Sequence, residues 1–274
     1  MRKIFGAVVA ALGVAAACAA NATVVLSNNA APGDSVTNPG GPDVTVPIGA
    51  SDWYYSSVRQ TAEIGITNTN PRSGNGSVEF SSTSGTGKAD ITYLPAENLG
   101  AFSALDGMSF DWYRSGVSTN PAIQMPALRV LLDADGDLGT TGDRGGLVYE
   151  AAYNGGVVPT DEWVTANVTG STNLWNFGLG LPFADGGYGV TLSDWQSMLS
   201  DAIIIGFNAG VGSGWNGSFV GFVDNIGWTI AGETSVTNFE VQASVPAPGA
   251  VWLFLGVLGG IGAVRRLGNR KLSA

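Results

Sequence analysis

The 274-residue sequence contains no histidine and only one cysteine, Cys18. The lack of histidine excludes catalytic triads that use imidazole, and it excludes most zinc sites. If the N-terminal stretch around Cys18 is removed, the chain has no disulfide, no thiol nucleophile and no cysteinyl metal ligand. We therefore expect a protein that is not an enzyme. The one enzymatic hypothesis that survives is a glycoside hydrolase, which needs only two carboxylates.

The N-terminal segment has the layout of a signal peptide. Two basic residues precede an apolar run over 4–20, and the sequence Ala-Asn-Ala at 20–22 has the small-x-small pattern that signal peptidase requires. We therefore expect signal peptidase to remove residues 1–22 during export.

The last thirty residues combine a short proline motif, an apolar stretch and a basic tail. Residues 249–264 carry no charged side chain, and a helix of that length spans roughly 24 Å, just short of the hydrocarbon core of a bilayer. The basic tail at 265–271 follows at once, so the positive-inside rule places it in the cytoplasm and the preceding chain outside. The sequence predicts a single transmembrane helix over 249–264.

This tail resembles the PEP-CTERM sorting signal of Gram-negative bacteria, in which an exosortase recognises a Pro-Glu-Pro motif, a transmembrane segment and an Arg-rich end. Ala247 stands where that family has Glu. The residues at the sorting and processing positions of the 245–274 segment are Val245, Pro246, Ala247, Pro248, Arg265 and Arg266. The resemblance implies an exosortase as partner, a precursor held transiently in the inner membrane, and final placement at the cell surface or outside the cell, near exopolysaccharide. A plain tail anchor is the alternative.

The region between the two terminal segments is strongly acidic. It holds six of the twelve basic residues and all twenty-two acidic residues, which gives a net charge of −16. Such a charge argues against nucleic acid or an anionic bilayer surface as a partner. It favours divalent cations and neutral or cationic ligands.

Residues 23–230 are predicted to form one all-β domain. Gly, Ser, Thr, Asn and Val are abundant there, and segments such as 108–114 and 127–132 alternate apolar and polar residues as half-buried strands do. Eight or more strands with turn residues between them fit a two-sheet sandwich. One short helix is expected after Ser193, and a polar linker is expected over 231–244.

The sequence Phe-Val-Gly-Phe-Val-Asp-Asn-Ile at 219–226, preceded by a Gly-rich loop, resembles the last long strand of exported bacterial jelly-roll domains. These include carbohydrate-binding modules and concanavalin-like sandwiches. The resemblance implies a jelly-roll or concanavalin-like β-sandwich, but it transfers no binding residue, because one fold carries many functions.

A loop rich in carboxylates follows the strand at 127–132. Asp133, Asp135 and Asp137 match positions one, three and five of an EF-hand loop, and Asp143 closes the segment. The glycine and glutamate positions of that loop hold other residues, so an EF-hand is not expected. Two hypotheses remain: a calcium loop with these four aspartates as ligands, or a solvated turn held by Asx hydrogen bonds.

Aromatic residues raise a second binding hypothesis. Trp175 and Trp215 lie beside asparagines in Gly- and Asn-rich segments, where exposed rings can stack on sugars and amides can bond to hydroxyls. The alternative is packing inside the domain, because Trp and Tyr dominate the cores of all-β proteins. Phe110 and Trp112, on one face of an alternating strand, are expected in the core.

Together these features predict an exported, non-catalytic protein of the cell surface or extracellular matrix, sorted through its C-terminal signal. The alternative function is a carbohydrate-binding module, stabilised by Ca²⁺. A glycoside hydrolase is the third hypothesis and has the least support from the sequence.

Overall fold

A computed structural model of the chain describes residues 21–181, 186–214 and 216–244. These residues form two eight-stranded β-sheets, so the predicted all-β fold and two-sheet sandwich are confirmed. Four sequence predictions fall outside the described residues: the transmembrane segment, the sorting signal, most of the signal peptide and Trp215. Within the described part of the chain, no helix combines the length and the apolar character needed to cross a bilayer.

The strands are numbered in chain order, and the single α-helix of the described residues, α1, lies between β13 and β14. The strands are β1 (Asn21–Ala30), β2 (Val36–Thr37), β3 (Val44–Pro47), β4 (Trp53–Arg59), β5 (Ala62–Thr67), β6 (Ser77–Ser82), β7 (Lys88–Tyr93), β8 (Leu105–Arg114), β9 (Ala127–Asp133), β10 (Arg144–Tyr149), β11 (Trp163–Val168), β12 (Asn173–Phe177), β13 (Val190–Thr191), β14 (Ile203–Val211), β15 (Phe219–Ile230) and β16 (Glu233–Gln242), and α1 spans Leu192–Met198.

The first sheet is organised around β15, its longest strand. One side of β15 pairs with β8, which in turn pairs with β11, and the other side pairs first with β6 and then with β16. The sheet continues from β6 through β5 to β2, and β1 closes the opposite end by pairing in parallel with β16. The first and last described strands are therefore neighbours in one sheet.

The second sheet is antiparallel throughout, in the order β13-β12-β10-β9-β14-β7-β4-β3. Successive side chains of a strand point to opposite faces. In β9 the leucines and valine at 128, 130 and 132 belong to the core between the sheets. Arg129, Leu131 and Asp133 therefore lie on the outer face of the second sheet, and this placement determines the site described below.

Aromatic side chains join the two sheets across the core. Phe207 of the second sheet stacks on Trp228 of the first, with ring centroids 4.4 Å apart, and Trp53 makes an edge contact with Phe239 at 4.9 Å. Such pairs stabilise a core beyond the apolar area that they bury. Phe110 and Trp112 are also buried, which confirms their predicted place in the core.

The structure corrects the predicted linker over 231–244, because Glu233–Gln242 form β16 in the first sheet. Thr237, Phe239 and Val241 are buried at every second position, while the residues between them are partly exposed. Only two of these inward positions carry a large apolar side chain. The alternation in the sequence is therefore weak, and the strand is defined by its pairing with β1 and β15.

Two local boundaries also differ from the sequence expectation. Helix α1 begins two residues earlier than expected, because Thr191, not Ser193, accepts the capping hydrogen bond from the backbone N–H of Asp194. Strand β1 begins at Asn21, just before the expected signal-peptide cleavage after residue 22. A cut there would remove only the first two residues of β1.

Candidate functional site

One row of outward-facing residues crosses the centre of the second sheet. Trp175 of β12 lies opposite Val148 of β10, and Val148 lies opposite Arg129 of β9. The row continues through Asn208 of β14 to Thr92 of β7. Strand register alone therefore places an indole and a guanidinium on the same face, two strands apart.

Arg129 is held in place by two neighbours on this face. Its Nη1 donates to Asp90 Oδ1 at 2.7 Å and to Asn208 Oδ1 at 2.9 Å. The side chains of Asp90 and Arg129 are only 2% and 9% exposed, and the Lys88 Nζ lies 3.4 Å from Asp90 Oδ2. One buried carboxylate thus serves two cations, which fixes the guanidinium in one orientation.

Two glycines let the groups on this face pack closely. A Cβ on Gly210 would overlap the Asp90 carboxylate, and a Cβ on Gly146 would press against the ring of Phe177 and the Val130 carbonyl. A larger side chain at either position would displace the groups that line the site.

These residues line a groove on the outer face of the second sheet. Its first compartment has a volume of about 330 Å³ and its second about 360 Å³. Trp175 and Ser213 line both compartments, so the two adjoin each other. The first compartment is lined by Ser57, Arg59, Lys88, Asp90, Arg129, Leu131, Trp175, Phe177, Asn208, Gly212 and Ser213.

Four aromatic rings form one wall of the groove, here called the aromatic ridge: Tyr153, Trp175, Phe177 and Tyr188. The rings of Tyr153 and Tyr188 lie 4.5 Å apart, and Trp175 lies 5.8 Å from Tyr188 and 6.4 Å from Phe177. Tyr153, Phe177 and Tyr188 are 38–41% exposed, which is high for aromatic side chains in a domain with a well-filled core. The ridge offers apolar ring surface to a ligand.

The asparagines beside Trp175 support the ridge. Asn173 Nδ2 donates to the Tyr153 carbonyl at 3.1 Å, and Asn176 Nδ2 donates to the Gly186 carbonyl at 2.8 Å. The first carbonyl belongs to Tyr153 itself, and the second lies two residues before Tyr188. Both amides therefore fix the backbone next to a ridge tyrosine. The sequence expectation that they bond to a sugar is therefore replaced by a positioning role. Trp215, the second predicted stacking residue, lies outside the described residues.

Glu150 faces the second compartment of the groove. Burial raises the pKa of its carboxyl, and the charge of Arg129 and the indole N–H of Trp175 oppose that rise. Both groups that favour the ionised form of Glu150 belong to the row on the sheet. The carboxylate is thus electrostatically coupled to the first compartment.

A separate site lies at the end of β9. Asp133, Asp135 and Asp143 each offer a carboxylate oxygen, and these oxygens lie within 4.8 Å of one another, so the three residues could hold a metal ion. Asp133 is fully buried; its Oδ2 accepts from Arg144 Nε at 2.9 Å, and its buried Oδ1 has no hydrogen-bond partner. A buried oxygen without a donor is costly unless a cation or water occupies the place facing it.

Asp137 is not part of this group, because its Oδ1 accepts the backbone N–H of Gly139 in a turn. Burial pushes the pKa of Asp143 upward, but hydrogen bonds from backbone N–H groups, including that of Asp135, and from the Thr140 hydroxyl outweigh it and lower the pKa. The structure therefore brings together three of the four aspartates that the sequence singles out. The lowered pKa extends the range over which Asp143 is ionised to more acidic pH.

Asp224 and Asp111 face each other in the first sheet, far from the groove in strand order. Burial raises the pKa of Asp224 to about 7, against the effect of hydrogen bonds from the backbone N–H groups of Phe239, Asn225 and Ser73. Those bonds tie three segments together inside β15, where its pairing with β8 is irregular after Asp224, so the residue does not cap a strand end as the sequence suggests. Both carboxylates are engaged within the fold, since Asp111 accepts from Arg72, Thr165 and Asn225.

The described part of the chain is thus a two-sheet β-sandwich with an open groove across one sheet. No protein-family model matches the sequence, and no curated protein matches it.

Two solved structures are similar to it. A family 11 carbohydrate-binding module from Clostridium thermocellum, in complex with a β-1,3-1,4-mixed-linked tetrasaccharide, is 15% identical over 74% of this chain and 99% of its own, with a TM-score of 0.39. An exo-β-agarase is 11% identical over 75% of this chain, with a TM-score of 0.34, and this chain spans 25% of its length. No residue role is transferred from either protein.

Sequence reasoning missed most of the groove. Among the groove residues the sequence singled out Trp175, and a further local signal was Arg129, a single cation inside the apolar strand Ala127–Asp133. Asp90, Asn208 and the ridge tyrosines carry no signal in the sequence, because their neighbours across the sheet come from distant segments. Only the register of β7, β9 and β14 identifies them as one site.

We predict that Asp90→Ala destabilises the protein by about 3 kcal/mol, because removing one partner leaves Arg129 buried and unpaired. Asp43→Ala is the matched control, since Asp43 is 44% exposed and lies 3.6 Å from Arg59. An exposed pair of this kind contributes less than about 1 kcal/mol. Urea unfolding of both variants measures the difference, and equal small losses would show that the Asp90 pair does not stabilise this face.

Proposed function

We propose that this protein is an exported, non-catalytic protein of the cell surface or extracellular matrix whose jelly-roll-like β-domain binds polysaccharide in the groove of the second sheet. The observation that carries the proposal is the pairing of the aromatic ridge with a fixed polar floor. Ring surface and oriented donors and acceptors stand side by side in one open groove.

This combination suits a sugar chain chemically. A pyranose ring has an apolar face of C–H groups, which packs on an aromatic ring, and polar hydroxyls around its edge, which need hydrogen-bond partners. Trp175 supplies ring surface at the junction of the two compartments. Asn208, Lys88 and the hydroxyls of Ser57 and Ser213 supply polar partners along the first compartment.

The open shape favours a polymer over a small molecule. Small ligands are usually enclosed on most of their surface, whereas this groove extends over two adjoining compartments on a sheet face. A chain can therefore enter at one end and leave at the other. Bound sugar residues would lie across the strands, from the ridge toward β4.

The terminal segments supply the setting for this activity. We propose that residues 1–22 direct export, and that residues 245–274 hold the precursor in the inner membrane until an exosortase acts on the proline motif. The layout of charges and apolar residues in both segments supports the proposal. A domain placed outside the cell would meet exopolysaccharide there.

We also propose that Asp133, Asp135 and Asp143 bind Ca²⁺. Calcium takes six to eight oxygen ligands, and a cluster of carboxylates with a buried oxygen lacking a partner provides part of that set. Backbone carbonyls and water would complete it. The ion would stabilise the loop that connects β9 and β10 at the end of the sheet.

Replacement of Trp175 by Ala is expected to weaken polysaccharide binding at least tenfold, because the central stacking surface of the groove is lost. Affinity gel electrophoresis against soluble β-glucans, galactans and polyuronates measures the change. Trp163→Ala is the matched control, since Trp163 packs on Tyr113 and Phe222 in the first sheet, away from the groove. Absence of retardation by every polymer, or equal loss in both variants, would contradict the proposal.

Calcium binding is expected to raise the free energy of unfolding. Extracellular modules bind Ca²⁺ with Kd on the order of 10⁻⁴–10⁻³ M, so about 10 mM CaCl₂ should stabilise the protein by roughly 1.4–2.7 kcal/mol. Asp135→Ala should abolish the gain, whereas Asp137→Ala, outside the cluster, should retain most of it. Thermal unfolding with CaCl₂ and with MgCl₂ provides the measurement, and a wild-type protein insensitive to CaCl₂ would refute the site.

Deletion of residues 245–274 is expected to change where the protein accumulates without unfolding the β-domain, which ends before that segment. Cell fractionation gives the location, and circular dichroism checks the fold. A double variant, Pro246→Ala with Pro248→Ala, keeps the apolar stretch and tests processing alone. Mass spectrometry of the mature C-terminus then separates sorting from plain anchoring, and an unchanged location after the deletion would exclude both.

A further inference from the structure

We propose that the groove selects acidic polysaccharides, and that the Nε and Nη2 edge of Arg129 binds the carboxylate of a uronic acid residue. This inference rests on the proposed function, because it names the class of glycan that the groove would bind. It concerns the selection of acidic over neutral sugars, which stacking on an aromatic ring cannot provide.

The hydrogen bonds of Arg129 leave one edge of its guanidinium open. Both interactions with its neighbours, Asp90 and Asn208, use Nη1. Among the described residues, none accepts a hydrogen bond from Nε or Nη2, and neither atom belongs to the buried atoms without a partner. No described residue therefore occupies the donors of these two nitrogens, and Arg129 itself lines the groove.

The geometry of the open edge matches a carboxylate. A guanidinium presents its N–H groups as a rigid planar fork, and two parallel N–H donors pair with the two oxygens of one carboxylate. Asp90 and Asn208 already fix the plane of the Arg129 fork. A ligand would therefore lose little entropy in orienting this side chain.

The distribution of cations supports the same conclusion. Arg59, Lys88 and Arg129 line the first compartment, and they are three of the six basic residues between positions 23 and 244. Asp90 is the one acidic residue among those lining this compartment, and it is shared by Lys88 and Arg129. Asp43, beside Arg59, and Glu150, which interacts with Arg129, lie outside this lining, so three cations and one carboxylate face the first compartment itself.

The net charge of −16 favours neutral or cationic ligands for the domain as a whole, but the lining of the first compartment holds three cations and one carboxylate. Charges are screened beyond about 8 Å at physiological ionic strength. A carboxylate seated on Arg129 therefore interacts mainly with the groove, and little with the remote acidic surface. Local charge decides the class of glycan here.

The spacing of the row allows one chain to use both features. Neighbouring strands lie about 4.8 Å apart, so the strands of Trp175 and Arg129, with β10 between them, are roughly 10 Å apart. A sugar ring stacked on Trp175 would thus place a neighbouring residue of the same chain near Arg129. An acidic residue at that position would meet the open edge.

The test compares two uronate polymers, polygalacturonate and alginate, with the same polymers after chemical reduction of their carboxyl groups. The purified protein should bind at least one acidic polymer about tenfold more tightly than its reduced form, measured by isothermal titration calorimetry. Arg129→Lys keeps the positive charge beside Asp90 but removes the fork, so it should abolish most of that preference. Lys88→Gln leaves the Arg129–Asp90 pair intact, and it should reduce the preference about threefold even if Arg129→Lys does not fold.

The outcomes separate this inference from the proposed function. Equal binding of acidic and reduced polymers, with loss of both in Trp175→Ala, would leave polysaccharide binding in place and overturn the acidic specificity. Binding of neither polymer type would overturn both. Poly-L-glutamate is the control for charge alone. If the protein bound poly-L-glutamate as tightly as it binds the uronate polymers, the inference would also be overturned.

Discussion

The buried ion pair between Arg129 and Asp90 is the constraint on which the groove depends. Two charged groups on an outer sheet face lose much of their hydration, so each must be satisfied by a partner on that face. Asn208, Lys88 and the glycine at 210 meet this requirement together. The result is a floor whose polar groups are oriented before any ligand arrives, which lowers the cost of binding.

The aromatic ridge adds exposed ring surface beside this fixed floor. Its exposed rings would be a liability on an ordinary surface, but beside a polar groove they form a site for ligands with apolar and polar edges. The asparagines of β12 hold the ridge through backbone carbonyls, so the ring positions depend on the same strand that carries Trp175. The floor and two of the ridge residues, Trp175 and Phe177, belong to the second sheet, whereas Tyr153 and Tyr188 lie in the segments that flank β12.

The carboxylate loop at the end of β9 follows a different principle. Arg144 neutralises one oxygen of Asp133, while the other oxygen is buried without a donor. Such an arrangement is incomplete for a protein alone and suits a cation. Asp133 and Arg129 lie on the same face of one strand, so the geometry of β9 contributes to both sites.

The sequence by itself determined the all-β class, the two-sheet architecture, the core positions of Phe110 and Trp112, and the carboxylate loop. These features depend on local alternation and on residues close together in the chain. Strand β16 escaped prediction because its inward positions are only partly apolar, so pairing with β1 and β15 defines it. The groove could not be predicted for a similar reason, because it too is defined by the pairing of strands that are distant in the sequence. Asp90, Arg129, Trp175 and Asn208 come from four separate strands, and only the register of the folded sheet brings them together.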